Sequence, residues 1–318
     1  MIMPPVPAPG QESAEQKGME WKMSTHEIKT VVVIGAGVMG QQIAMNTALN
    51  GRAQGYQVIL CDSFPAAVEK AKAWAADYLA GRVAKGRITQ EERETVCKSL
   101  TFSKDVDASA AQADMVIEAI IEDVDAKREL FGRISKLCKP ETILATNSSN
   151  MVSSKLADVT EHPERLLNVH YFNPALVMKL VEVVRGPHTS EETVAAAFAF
   201  AESTGKSPIT INKEIAGFVA NRINAAVTRE ACLLLEKGIA TVEDIDTACE
   251  KGLGYPMGPF KLMDMTGIDV NYYVRRDRYA ESGDLNDAPS PLVIDKVIKG
   301  ELGRKTGKGW YTYDDEKK

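Results

Sequence analysis

The chain has 318 residues, of which 44% are hydrophobic and 26% charged, and this composition is typical of a soluble globular protein. A formal net charge of −6 argues against nucleic acid as the main partner. No apolar run approaches the roughly 18 residues that a transmembrane helix needs, so no membrane span is predicted.

Five cysteines are scattered along the chain without a CxxC pair, as in proteins of a reducing compartment. The four histidines also lack the spacing of metal ligands, so no metal site is predicted. Residues 1–28 begin MIMPPVPAPG and continue without apolar periodicity, which predicts a disordered leader. This segment resembles neither a signal peptide nor a mitochondrial presequence, so the cytoplasm is the expected compartment.

The first strand and helix enclose a glycine-rich turn. The strand TVVVI, from Thr30, runs directly into Gly35-x-Gly37-x-x-Gly40 and a helix. Gly35 makes the tight turn, Gly37 lets the backbone approach a pyrophosphate, and Gly40 lets the helix pack on the strand. A second strand ends at Asp62, 22 residues after Gly40, where an acid accepts the ribose hydroxyls and disfavours a 2′-phosphate. The motif predicts NAD; the alternative is a loop of similar pattern without a ligand.

Strands and helices alternate as far as about residue 213. The further predicted elements are a helix over Ala66–Gly81, a strand from Ala113, a helix over Val124–Cys138, the strand ETILATN, a helix over Glu191–Thr204 and the strand SPITIN. This order predicts an α/β fold with a Rossmann-type, doubly wound and mostly parallel sheet. Ligands bind beyond the carboxyl ends of such strands, which brings Glu122, Asn147, Ser149 and His170 to one crevice. For Ser149 alone, a helix N-cap is the alternative.

A single histidine and a single carboxylate occur in the stretch NVHYFNPALVMKLVEVVR, residues 168–185. Two apolar, β-branched strands joined by the turn Asn173-Pro174 would place His170 beside Glu182. Such a pair is suited to acid–base catalysis, because imidazole titrates near neutral pH. The alternative is a core histidine that is satisfied by a neighbouring glutamate.

From Ala216 onward the chain is predicted to be helical. Three parts follow: a leader over residues 1–28, an NAD-binding domain over 29–213 and an all-α domain over 214–318 for substrate binding and dimerisation. A capping box is predicted at Thr241–Asp244. The several apolar faces favour a homodimer, with a larger monomeric core as the alternative. One predicted buried face consists of Phe218, Val219, Ile223, Ala226, Val227 and Leu234.

Seven motifs, spread over residues 29–314, follow the order found in the L-3-hydroxyacyl-CoA dehydrogenases, which include the 3-hydroxybutyryl-CoA dehydrogenases. They are GAGVMG, EAIIEDVDAKRELF, ATNSSNMVSSKLA, HYFNPALVMKLVEVV, GFVANRI, GYPMGPFKLMDMTGID and GRKTGKGWYTY. The chain therefore resembles this family. The resemblance implies NAD as cofactor, an acyl-CoA partner, and oxidation of (S)-3-hydroxyacyl-CoA to 3-oxoacyl-CoA and the reverse.

The resemblance also implies roles for single residues. His170 is the general base, Glu182 is its partner, and Ser149 and Asn221 bind the reacting end of the substrate. Lys85 matches a position near the CoA phosphates, although a solvated charge run is the alternative. By the resemblance or by their place at the crevice, the positions assigned to NAD are Gly35, Ala36, Gly37, Val38, Met39, Gly40, Asp62, Glu122, Lys127, Asn147, Ser149, Asn173 and Lys305.

Two features depart from the family pattern. The stretch from Gly40 to Asp62 is longer by about one helical turn, so the first helix is expected to be extended or irregular around Asn50–Gln54. The proline-rich leader also lies outside the pattern. Two other functions stay open: an NAD-dependent dehydrogenase of a non-CoA 3-hydroxy acid such as L-gulonate, and a non-catalytic NAD-binding protein.

Overall fold

The computed structural model describes residues 27–313, so the predicted leader lies outside the described residues except for its last two positions. The chain packs as two compact units. The first unit extends to Ser148 and resumes over Val152–Glu214. The second unit comprises Ser149–Met151 and the residues from Ile215 onward.

The first unit contains a sheet of eight strands. In chain order they are β1 (Thr30–Ile34), β2 (Gln57–Cys61), β3 (Leu100–Ser103), β4 (Met115–Glu118), β5 (Ile143–Thr146), β6 (Leu166–Tyr171), β7 (Leu180–Val184) and β8 (Ser207–Ile211). Their order across the sheet is β3-β2-β1-β4-β5-β6-β7-β8. Neighbouring strands are parallel except for the antiparallel pair β6 and β7. The doubly wound, mostly parallel sheet is therefore confirmed.

Seven helices belong to this unit. They are α1 (Val38–Asn50), α2 (Pro65–Ala84), α3 (Gln90–Ser99), α4 (Val106–Ala110), α5 (Val124–Ile134), α6 (Ser154–Ala157) and α7 (Glu191–Ser203). Every residue of β4 and β5 is buried, as expected for parallel strands that helices cover on both faces. The prediction that α5 reaches Cys138 is wrong. The N–H groups of Leu137 and Cys138 both bond to the carbonyl of Ile134, which closes the helix in a turn.

The expectation that the lengthened stretch extends or distorts the first helix is wrong. Helix α1 ends at Asn50, and a separate 3₁₀ turn over Arg52–Gln54 follows it. Gly55, with φ of 73°, then leads the chain into β2. The extra residues therefore form their own turn and leave α1 regular.

The second unit is helical. Its helices are α8 (Ala220–Glu236), α9 (Val242–Thr247), α10 (Pro259–Thr266), α11 (Ile268–Ser282) and α12 (Pro291–Ile298), with a π-helical turn over Ala248–Gly252. Thr241 caps α9 by accepting from the N–H of Asp244. The predicted capping box is incomplete, because the Asp244 carboxylate accepts from the Thr241 hydroxyl and not from the Thr241 backbone N–H. No helix within residues 27–313 is long and apolar enough to cross a membrane.

The predicted buried face of α8 is wrong in part. Phe218 is buried and Val227 and Leu234 are half-buried, but Val219 and Ile223 are 40% and 59% exposed, and Ala226 is exposed as well. The residues that α8 buries are Thr228, Ala231 and Cys232. Helical spacing identifies an apolar stripe but does not decide which stripe meets the core of the same chain.

Candidate active site

The predicted pairing of His170 with Glu182 is confirmed. His170 is the last residue but one of β6 and lies in register with Glu182 of β7. His170 Nδ1 is 2.8 Å from Glu182 Oε2, and the two side chains are 3% and 0% exposed. The Phe172 ring packs against the imidazole at a centroid distance of 4.5 Å. The carboxylate and the ring together restrain the imidazole, with Nε2 on its opposite edge.

The two strands place this pair by simple alternation. Val169 and Tyr171 of β6, and Val181 and Val183 of β7, all belong to the main hydrophobic core. Successive side chains of a strand point to opposite faces of the sheet. His170 and Glu182 therefore lie together on the face opposite this core cluster.

Buried Lys206 braces the connection between the two strands. Its ammonium donates to the carbonyl oxygens of Ala175 and Met178, both within that connection. The same connection carries Asn173, one of the predicted cofactor positions. Burial lowers the pKa of Lys206 to about 8, and the nearby charge of Lys179 acts in the same direction.

The glycine-rich turn has the geometry of a dinucleotide cradle. Gly35 has φ of 108°, and a Cβ on it would lie 2.5 Å from the carbonyl oxygen of Ala119. A Cβ on Gly40 would lie 1.8 Å from the carbonyl oxygen of Gly35, whereas one on Gly37 would meet nothing within 4 Å. Gly35 and Gly40 are therefore packed tightly against backbone atoms, whereas Gly37 between them faces open space. This open space fits the approach of a pyrophosphate.

Asp62 supports this turn directly. One carboxylate oxygen accepts from the N–H of Ala36 and the other from the N–H of Phe64, each at 2.8 Å. A carboxylate has lone pairs for further donors, so these bonds are compatible with ribose binding. Asp62 and Gly35 line a cavity of about 170 Å³ together with Ile120. The contact between Asp62 and the ribose remains a prediction.

A buried ion pair that was not predicted from the sequence lies at the end of β4. Lys127 Nζ donates to the two carboxylate oxygens of Glu118 at 2.7 and 2.9 Å, and these side chains are 1% and 0% exposed. Glu118 also accepts from the Thr146 hydroxyl at 2.6 Å and from the N–H of Ile120 at 2.7 Å. A charged residue in the apolar run MVIE was the available signal, because a buried carboxylate requires a partner.

Several other predicted cofactor positions follow the carboxyl ends of β4 and β5 in the chain. Lys127 is 3.2 Å from a carboxylate oxygen of Glu122. Glu122 also accepts from the hydroxyl of Ser148. The Asn147 side chain accepts from the N–H of Tyr171 at 2.9 Å and thereby ties the end of β5 to β6. These bonds fix the segments that follow β4 and β5. The contacts of these residues with NAD remain predictions.

Ser149 and Lys85 lie outside regular elements. Helix α6 begins at Ser154 with Ser153 at its N-cap, so the N-cap alternative for Ser149 is wrong. Lys85 is exposed and follows the last residue of α2, before Gly86 with φ of 62°. The roles of Ser149 and Lys85 toward the substrate and the cofactor remain predictions.

In the helical unit, Asn221 is the second residue of α8. The two residues Gly217 and Phe218, with φ of 79° and 48°, form a sharp turn just before this helix. Lys305 Nζ contacts both carboxylate oxygens of Asp269 at 2.6 Å. The roles of Asn221 and Lys305 toward substrate and cofactor remain predictions.

The helical unit contains a cavity of its own. A cavity of about 450 Å³ in the helical unit is lined by residues of α8, α11 and α12, and no predicted site residue lines it. Within residues 27–313, no group of three or more His, Cys, Asp or Glu side chains is arranged to hold a metal ion.

The parallel sheet, the open glycine-rich turn and the acid after β2 define a Rossmann-type, dinucleotide-binding protein. Residues 30–215 match the family model for the NAD binding domain of 3-hydroxyacyl-CoA dehydrogenase, and residues 217–313 match that for its C-terminal domain. The chain belongs to the 3-hydroxyacyl-CoA dehydrogenase family. It is an NAD-dependent oxidoreductase. The alternative of a non-catalytic NAD-binding protein is therefore wrong.

Known relatives agree with this assignment. The chain is 38% identical over 290 residues to a probable 3-hydroxybutyryl-CoA dehydrogenase of Bacillus subtilis (strain 168), covering 91% of this chain and 99% of that one. It is 38% identical to the mitochondrial hydroxyacyl-coenzyme A dehydrogenase of Rattus norvegicus, covering 90% and 91%. The solved (S)-3-hydroxybutyryl-CoA dehydrogenase of Ralstonia eutropha has a TM-score of 0.84 at 38% identity, covering 91% and 100%.

Proposed function

We propose that the chain interconverts (S)-3-hydroxyacyl-CoA and 3-oxoacyl-CoA with a His170–Glu182 dyad, and that 3-hydroxybutyryl-CoA is its substrate. The observation that carries the proposal is the buried contact of 2.8 Å between His170 Nδ1 and Glu182 Oε2. His170 lies near the carboxyl end of β6, which pairs in parallel with β5 and antiparallel with β7. Ligands of such folds bind beyond the carboxyl ends of the parallel strands. Two of the relatives, those of Bacillus subtilis and Ralstonia eutropha, carry the 3-hydroxybutyryl-CoA name.

The dyad supplies acid–base chemistry to the oxidation of a secondary alcohol. Glu182 accepts from Nδ1–H of His170, which leaves the lone pair on Nε2 and fixes the tautomer. Nε2 then takes the proton of the C3 hydroxyl, and the carboxylate stabilises the imidazolium that forms. Bound NAD supplies the acceptor for the C3 hydride.

In the reducing direction, the imidazolium of His170 returns the proton to the developing alkoxide. We assign Ser149 and Asn221 to the oxygen of the reacting carbon, where a hydroxyl and an amide provide oriented dipoles. Lys85 is assigned to the CoA phosphates, since an exposed ammonium is free to meet an anion.

The residues assigned to NAD divide into two groups. Gly35 to Gly40 and Asp62 would hold the pyrophosphate and the adenosine ribose at the open turn. Glu122, Lys127, Asn147, Ser149, Asn173 and Lys305 are assigned to the remainder of the cofactor.

We further propose that the protein is a homodimer and that it works in the cytoplasm. Exposed apolar residues on α8 and α11 support a dimer, among them Ile223 and Val270, which are 59% and 50% exposed. All five cysteines are unpaired thiols, which supports a reducing compartment.

The test is an absorbance assay of NADH consumption with acetoacetyl-CoA and, in parallel, with free acetoacetate. We expect turnover of the thioester only. Equal or preferred turnover of the free acid would favour the non-CoA alternative. His170→Gln serves as the control, because an assay signal that survives this change does not arise from the proposed site.

A further inference from the structure

Asn168 is a fully buried polar residue in the middle of β6, at 0% exposure. It pairs in register with Thr146 of β5 and Val184 of β7. Asn168 and His170 are two residues apart on one strand, so their side chains leave the same face of the sheet. A buried amide is costly unless its polar atoms are bonded, and this residue therefore requires specific partners.

The side chain of Asn168 bonds to both ends of one loop. Its Oδ1 accepts from the N–H of Ser153 at 2.8 Å, and its Nδ2 donates to the carbonyl oxygen of Ser148 at 3.5 Å. One partner can only donate and the other can only accept, which determines the orientation of the amide. The loop between these two ends consists of residues 149–152, and Ser149 is its first residue.

A carboxylate holds the far end of the loop a second time. Glu214 accepts from the Ser153 hydroxyl and from the N–H of Ser154, each at 3.2 Å. The start of the short helix α6 is thus fixed from two directions. These two bonds of Glu214 reach one end of the loop, whereas the Asn168 amide spans it from Ser148 to Ser153.

We propose that Asn168 is a positioning residue that sets the backbone conformation of residues 149–152, and through it the direction of the Ser149 hydroxyl. This inference rests on the proposed function of Ser149 at the reacting oxygen. The amide links both ends of this loop, at Ser148 and Ser153, to the strand that carries His170. Small misplacements of catalytic groups are costly, because the reacting geometry tolerates little displacement.

The first test is a double-mutant cycle in full-length protein. We expect Asn168→Ala to lower kcat for 3-hydroxybutyryl-CoA oxidation about tenfold. In a Ser149→Ala background the same change should have little further effect, since Asn168 acts through Ser149. A merely structural role predicts an equal loss of kcat in both backgrounds, or a lower Tm with full kcat per folded molecule, and either result overturns the proposal.

A matched pair of variants at Ser153 tests the hydrogen bond between the Ser153 N–H and Asn168 Oδ1 from its donor. Ser153 has φ of −61°, an angle that a proline ring can adopt, and Ser153→Pro removes the N–H from which the Asn168 Oδ1 accepts. Ser153→Ala retains this N–H, and both variants lose the hydroxyl that bonds to Glu214. We expect Ser153→Pro to lower kcat as Asn168→Ala does and Ser153→Ala to have little effect. Equal kcat in the two variants would contradict the positioning role.

Hydrogen exchange gives a readout that does not depend on activity. In the absence of ligands, amides of the peptide that covers residues 149–152 should exchange faster in Asn168→Ala than in the wild type. Unchanged exchange overturns the bracing of the loop. If exchange rises but Ser149→Ala retains full kcat, the proposed function of Ser149 fails and the positioning role in catalysis fails with it.

Discussion

His170 and Glu182 face each other across two antiparallel strands, with Nδ1 and Oε2 2.8 Å apart. Both side chains are withdrawn from solvent, so the charge of the carboxylate acts on the imidazole with little screening. If the pair is a catalytic dyad, this electrostatic coupling should be visible in the pH dependence of the reaction.

Glu182→Gln should therefore move the pH dependence of the reaction. Removing the carboxylate destabilises the imidazolium relative to the neutral ring. Oxidation requires the neutral ring, so the rising limb of its pH–rate profile should move to lower pH, even as the maximum rate falls. Reduction requires the imidazolium, so its falling limb should also move to lower pH. Both profiles are measured on folded variant protein.

The control for this experiment is His170→Gln, which should retain the fold and the affinity for NADH while kcat falls by about 10² or more. A purely structural pair predicts the opposite pattern. Both variants would then lose stability, while the activity per folded molecule and the pH limbs stay as in the wild type.

Two glycines of the same turn should respond differently to alanine. Gly37 has an ordinary φ of −71° and open space around a Cβ, so Gly37→Ala should leave Tm unchanged but weaken NADH binding, because the methyl group takes the place of the pyrophosphate. Gly40→Ala would place its Cβ 1.8 Å from the carbonyl oxygen of Gly35 and should destabilise the fold by about 1–3 kcal/mol or more. Thermal melts and NADH titrations separate the two effects. Loss of stability in Gly37→Ala would contradict an open cradle.

Asp62 should make the enzyme selective for NADH over NADPH by at least about tenfold in kcat/KM, since a clash between like charges costs upwards of about 1.4 kcal/mol. Asp62→Asn removes the charge and should reduce this ratio. The ratio is the appropriate measurement, because Asp62 also accepts from the N–H of Ala36 and its loss can loosen the turn for both cofactors. Equal wild-type activity with the two cofactors would rule the assignment out.

The exposed apolar residues of the helical unit predict a symmetric dimer at micromolar concentration. Ile223→Glu, on α8, should shift the mass measured by light scattering toward the monomer, because a charge would be buried in the interface. Ile298→Glu is the matched control, since Ile298 is also exposed, at 79%, but lies on α12. A monomeric wild-type protein, or equal effects of the two variants, would count against an interface through α8.

Lys206 should give the stability of the first unit a distinct pH dependence. Its pKa is about 8 in the folded protein, against an ordinary value of 10.5. Between these two values the unfolded chain binds more protons at this site than the folded protein, so its contribution to stability rises with pH. The free energy of unfolding of the wild type, relative to Lys206→Met, should increase between pH 8 and pH 10 in urea titrations. Parallel pH profiles would show that the ammonium is not desolvated.

The sequence by itself determined the class of fold, the glycine-rich turn and the pairing of His170 with Glu182, because each depends on a local pattern. A buried strand that runs into spaced glycines and a helix identifies the dinucleotide cradle. Alternation along two strands joined by Asn173-Pro174 was sufficient to place His170 beside Glu182.

Only the tertiary structure decided which polar residues meet across elements and which helix face is covered. Glu118 and Lys127 lie on a strand and the following helix, and Asn168 bonds to a loop 15 to 20 residues earlier in the chain. Spacing carries no information on such partners. The apolar stripe of α8 was visible in the sequence, but its exposure follows from how the other helices pack, since the same periodicity serves a core and an interface equally well.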